Sequence, residues 1–174
     1  MNHKLHLCFR AIACLVWITQ DTWATSSLES RDVVMTQSRA GRLAFRMQAP
    51  EIAREETGDC IFPQGGRIEI YDQDETVIIT GRAQWAAYYP QEGVCKFKND
   101  VEIRTVEDRK QLNTELLFWE MEKRVFHTEK FVRLETEGKA LTGEGFVADQ
   151  DLERYTLERP QGILERIPED DSLA

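Results

Sequence analysis

The chain has 174 residues, 41% hydrophobic and 30% charged, with 10 Gly and 5 Pro. That length carries one domain with its own core but not two of ordinary size, and the composition excludes collagen, low-complexity linker and wholesale disorder. A formal net charge of −9 repels phosphate backbones, which argues against a nucleic-acid partner.

Residues 1–24 have the pattern of an export leader. Lys4 and Arg10 precede an apolar run over residues 11–18, Thr19, Gln20 and Asp21 follow, and Thr22, Trp23 and Ala24 offer a cleavage site after Ala24. Two alternatives stay open. One is a retained anchor, although the run is shorter than the ~20 apolar residues that span a bilayer. The other is lipidation at Cys14. All three export the domain. Among the four cysteines only Cys60 and Cys95 lie in the body. In an oxidising compartment they either pair, closing a loop for about 3–4 kcal/mol, or remain two buried thiols.

The body reads as strand almost throughout. Residues 67–72, 101–105 and 131–135 alternate apolar and polar, as does the stretch 77–89 with a bend expected at Gly81. Residues 107–122 have the Glu, Lys and Leu content of a helix. The alternation of Leu112, Thr114 and Leu116, followed by Phe118 and Trp119, favours strand–turn–strand there instead. Turn signals separate the runs at residues 63–66, 72–74, 90–93 and 137–138. A weak repeat aligns residues 101–105 with 132–136, and 112–114 with 141–143, as expected of stacked strand pairs. Many short strands at near-regular spacing imply an all-β sandwich or barrel. The acidic residues 165–174 form a tail.

Reactive constellations are scarce. His3 and His6 are N-terminal, so a catalytic His would have to be His127, and no Ser or Cys nucleophile motif accompanies it. His and Cys together would supply a zinc site with at most three scattered ligands, so no metal is expected. Asp149 with Asp151, like Glu55 with Glu56, has the spacing of solvated turns rather than of glycosidase carboxylates. The stretch from Asp72 to Glu75 lacks the Gly of a calcium loop at its sixth position, where Val77 stands. Gly143 and Gly145 lack the third Gly of a nucleotide fingerprint. No cofactor and no enzymatic activity are expected.

Several pieces in order are similar to the LptC family of lipopolysaccharide-export components, related to LptA and OstA-like proteins. They are Phe62 to Asp72, Val101 to Ile103, then Leu112, Thr114, Leu117 and Trp119, then Thr142 to Phe146, and Pro160 with Gly162. The resemblance covers roughly residues 33–164. It implies a twisted β-jelly roll, a half-open barrel at the outer face of the inner membrane, in the periplasm. Such a protein takes acyl chains of a glycolipid from an inner-membrane ABC transporter and hands them to an LptA-like jelly roll docked edge to edge. Sheltering each methylene is worth about 0.8 kcal/mol, so an apolar trough suffices without catalysis.

The expected lining is Ile68, Ile70, Val77, Ile79, Val101, Ile103, Leu116, Val132, Leu134, Leu141, Tyr155 and Leu157. The expected docking edge is the strand around Tyr155, Thr156 and Leu157, with residues 43–47 facing the transporter. The alternative is an exported β-sandwich acting as a structural or carbohydrate-binding module, in which Trp85 and Trp119 would stack on sugars.

Overall fold

Alternating side chains commit one face of each strand to the interior, and in an antiparallel meander successive hairpins bury that face together. A computed structural model describes residues 28–136 and 138–165; the leader, residues 1–24, and the tail beyond Glu165 lie outside them. The described residues form eleven strands: β1 (Leu28–Arg39), β2 (Arg42–Arg54), β3 (Cys60–Phe62), β4 (Gly66–Tyr71), β5 (Val77–Ala83), β6 (Trp85–Tyr89), β7 (Val94–Thr105), β8 (Gln111–Glu120), β9 (Val125–Thr136), β10 (Lys139–Asp149) and β11 (Tyr155–Glu165). All pairings are antiparallel. The all-β jelly roll read from the sequence is the fold found.

The register folds this sheet into two leaves. The second half of β7, residues 101–105, lies between β5 and the start of β8. Its first half, residues 94–98, lies between β6 and the end of β8. Between the halves Asn99 and Asp100 take φ of 61° and 50°, a left-handed pair that turns the strand from one leaf to the other. The register also shifts in β8 between Thr114 and Phe118 and in β10 between Glu144 and Phe146, where Gly145 has φ 71°. These breaks form a crease across neighbouring strands. On the other side β2 pairs β4 with its first half and β3 with its second, and β3 pairs β6. Strands β2, β4, β5, β7, β6 and β3 therefore close a ring, from which β8 to β11 extend in sequence to a free edge.

Facing rows of apolar side chains fill the space between the leaves. Met47, Ile68, Gly81, Ile103, Leu112 and Leu134 stand opposite one another along one leaf. Cys60, Tyr88, Cys95, Trp119, Phe126 and Ala148 do so along the other. Phe45 of the first leaf meets Tyr88 and Trp119 of the second edge-on, at 5.4 and 5.7 Å. The crease is close-packed: a Cβ added to Gly65 would lie 1.9 Å from the Ala83 carbonyl oxygen, and one on Gly66 would lie 2.3 Å from that of Gln48.

Two local expectations are corrected, and one left open is resolved. The stretch 77–89 breaks at Gln84, not Gly81, because there the chain crosses between leaves; the Gln84 N–H donates to Asn99 O at 3.0 Å. Residues 111–120 are one strand rather than strand–turn–strand; the register shift after Thr114 leaves the extra residue on β9, where the Thr114 hydroxyl donates to Phe131 O at 2.8 Å. The cysteines are buried free thiols. Cys60 and Cys95 pair with Tyr88 from opposite sides, so a whole strand separates them. Two inter-strand spacings make roughly 9–10 Å along the sheet, beyond the ~7 Å Cα reach of a disulfide.

Gly65→Ala tests the crease. Its φ of +67° and the Ala83 collision predict a loss of at least ~3 kcal/mol in urea unfolding. Gly41→Ala, at φ +79° with nothing within 4 Å, should lose only about 1–2 kcal/mol.

Candidate functional site

The sequence-derived lining is mostly sealed in the core. Ile68, Ile70, Ile79, Val101, Ile103, Val132 and Leu134 belong to one buried cluster, and Leu141 and Leu157 pack against it half-buried. Val77 is half-buried at the start of β5. Leu116 faces away from that core, because β8 changes face at the register shift after Thr114 and its inward positions become Leu117 and Trp119. Tyr155 is exposed at the rim of the last strand and stacks on Phe146 at 6.0 Å.

Open space lies instead at one end, where the leaves part. A cleft of about 710 Å³ runs between the β1–β2 and β4–β5 turns on one side and the β6–β7, β8–β9 and β10–β11 turns on the other, a volume within the range of small-ligand sites. Leu43, Ala44, Ile70, Tyr88, Trp119 and Met121 supply its apolar surface. Ile70 is the single residue of the expected lining that borders it. Phe45, behind Tyr88 and Trp119, fixes both rings. Burial first, then Cys95 and Cys60, pushes the Tyr88 phenol up, so it stays neutral.

The rim carries charges of both signs, loosely tied, with Arg124 3.8 Å from Asp151. Arg39, Arg42 and Arg124 stand there beside Asp72 and Glu122. Arg39 Nη1 donates to Met121 O at 3.4 Å, and its Nη2 lies 3.8 Å from Glu122. Both side chains of that pair are largely exposed, so the strap it makes across the mouth contributes at most ~1 kcal/mol. Arg42 donates to Gln73 O at 3.1 Å, and Glu75 accepts the Leu43 N–H at 3.0 Å; these bonds hold the neighbouring turn. On the floor, Trp119 Nε1 is buried without a hydrogen-bond partner, at a cost of ~1–3 kcal/mol.

Alternation along single strands points to faces, whereas this cleft is built from strand ends far apart in sequence. Tyr88, Met121 and the rim arginines carried no signal that would have joined them.

The sheet has two edges. Among the described residues β11 pairs only with β10, which leaves Thr156 exposed along its outer side. At the other end the edge belongs to β1, which pairs β2 along nearly its whole length. Residues 43–47 are thus interior to the sheet rather than its edge. His127 is half-exposed, stacked on Phe118 at 5.1 Å and 3.3 Å from Glu120.

A family model described as lipopolysaccharide-assembly, LptC-related, matches residues 12–160. The chain belongs to the LptC family. Membership ties it to lipopolysaccharide export and to a family that binds lipid and acts in transport and bridging. No curated protein matches the chain. Among the described residues no helix is long and apolar enough to cross a membrane.

The free-thiol arrangement predicts that Cys60 and Cys95 alkylate fully in denaturant without reductant, read by peptide mass spectrometry. In the native chain both should stay unlabelled, since burial, and secondarily Cys60, drives the Cys95 thiol far above its ordinary value. A Cys60–Cys95 linked peptide would contradict the register.

Proposed function

We propose that this LptC-family protein is a non-enzymatic relay of glycolipid acyl chains in the periplasm, at the outer face of the inner membrane. It receives the chains from an inner-membrane ABC transporter and passes them to an LptA-like jelly roll. The observation that carries this reading is the cleft, where apolar side chains border open space at the end at which the leaves part. Chains lie against Leu43, Ala44, Ile70 and Trp119, and polar headgroups stay outside with Arg39, Arg42 and Arg124. Each methylene withdrawn from water contributes about 0.8 kcal/mol, so several offset the weak Arg39–Glu122 strap that must yield.

Further entry means parting the leaves past the crease toward β8–β11, where no ring closes the sheet. The expected lining residues Ile103, Val132 and Leu134 would then meet the chains only in that opened state. Handover uses the sheet edges: the outer side of β11 at Tyr155, Thr156 and Leu157 offers unpaired main-chain groups to the next jelly roll, and β1 offers the opposite edge. The module alternative is less favoured, because Trp119 is inside the fold and Trp85 lies under Lys98, whose Nζ sits 4.3 Å from the ring centroid. Lys98 thus covers one face of Trp85, and Trp119, 2% exposed, shows only an edge to the cleft.

A photo-crosslinker at Leu43 should capture glycolipid in living cells, and one at Arg104, on the outer face, should not. A probe at Thr156 should capture the next jelly roll. Lipid captured at Arg104 but not at Leu43 would sink the cleft assignment.

A further inference from the structure

Nε1 of Trp119 is the one buried side-chain polar atom without a hydrogen-bond partner among the described residues. It belongs to a residue that borders the cleft between the turns. The ring is held: it stacks on Phe126 at 6.1 Å and meets Phe45 edge-on at 5.7 Å, and only 2% of the residue is exposed. The main chain at Trp119 pairs with Cys95 on one side and Phe126 on the other, so its own strand partners give the indole no acceptor. A phenylalanine would fill most of the same volume without an orphaned donor.

We propose that Trp119 is a specificity residue of the cleft, its indole N–H donating to the carbonyl oxygen of an ester- or amide-linked fatty chain. This rests on the cleft being the lipid site. The surroundings select the acceptor. Leu43, Ala44 and Ile70 border the same space, and an ionised oxygen would lose its water there without a counter-charge, whereas a neutral carbonyl loses little. Anionic groups are met only at the rim, by Arg39, Arg42 and Arg124. An alkyl chain without a carbonyl leaves the N–H unpaired, and an acyl chain satisfies it. The cleft thereby distinguishes acyl from alkyl lipids of equal length.

The test compares tetradecanoyl glycerol, an ester, with its tetradecyl ether, using the full chain labelled with ¹⁵N in its tryptophans. The ester should bind roughly tenfold more tightly, and the Trp119 indole proton resonance should move downfield with the ester only. Trp119→Phe should keep its affinity for the ether and lose the discrimination. Should that variant not fold, the two probes and the indole resonance of the native chain decide alone. Equal affinities, an indole resonance unmoved by the ester, or discrimination that survives Trp119→Phe would overturn the donor role and leave the cleft reading standing. If neither probe binds, the donor role and the cleft reading are both overturned.

Discussion

An extended strand can serve two facing sheets only if it turns, and a turn in one strand of a ladder must be matched by its neighbours or the hydrogen bonds between them are lost. The crease meets that demand with left-handed residues at Asn99 and Asp100, an extra residue of β9 opposite β8 and Gly145 in β10. Where the chain cannot simply bend, it crosses between leaves at Gly65 and Gln84, which lie so close that no side chain fits at position 65. The interior, the meeting of Phe45 with Tyr88 and Trp119, and the parting of the leaves at the turn end all follow from this one fold line.

Much of the architecture was legible in the sequence because period-two alternation is a direct consequence of strand geometry. Ile68, Ile70, Ile79, Val101, Ile103, Val132 and Leu134 all face inward as their spacing demands. Alternation says which way a side chain points but not whether the space it points into is already occupied, and here opposing rows fill it. A bulge leaves no residue-type signature, which is why Leu116 and Leu117 exchange faces unannounced. The crossing at Gln84 is set by a long-range bond to Asn99 O and not by local propensity. The cleft gathers Arg39, Tyr88 and Trp119 from three hairpin ends, and only the register brings them together.

The molecule thus divides its work between a filled core, which stabilises the ring, and an end where stability is deliberately thin. Contacts across the mouth are exposed and long, while those beneath it are aromatic and close. The overall negative charge makes the three rim arginines a local exception, and their position matches amphiphiles whose polar ends stay in water.

Pro160 sits in β11 opposite Gly143. A proline is accommodated in such a strand when its nitrogen faces away from the ladder, so the outer margin lacks a donor at residue 160. Exposed Glu158 and Arg159 stand just before it. An incoming strand finds a continuous hydrogen-bonding template only on the N-terminal portion of β11. That short landing strip acts as a gatekeeper against amyloid-like stacking, a hazard that any protein with permanently unpaired margins must meet.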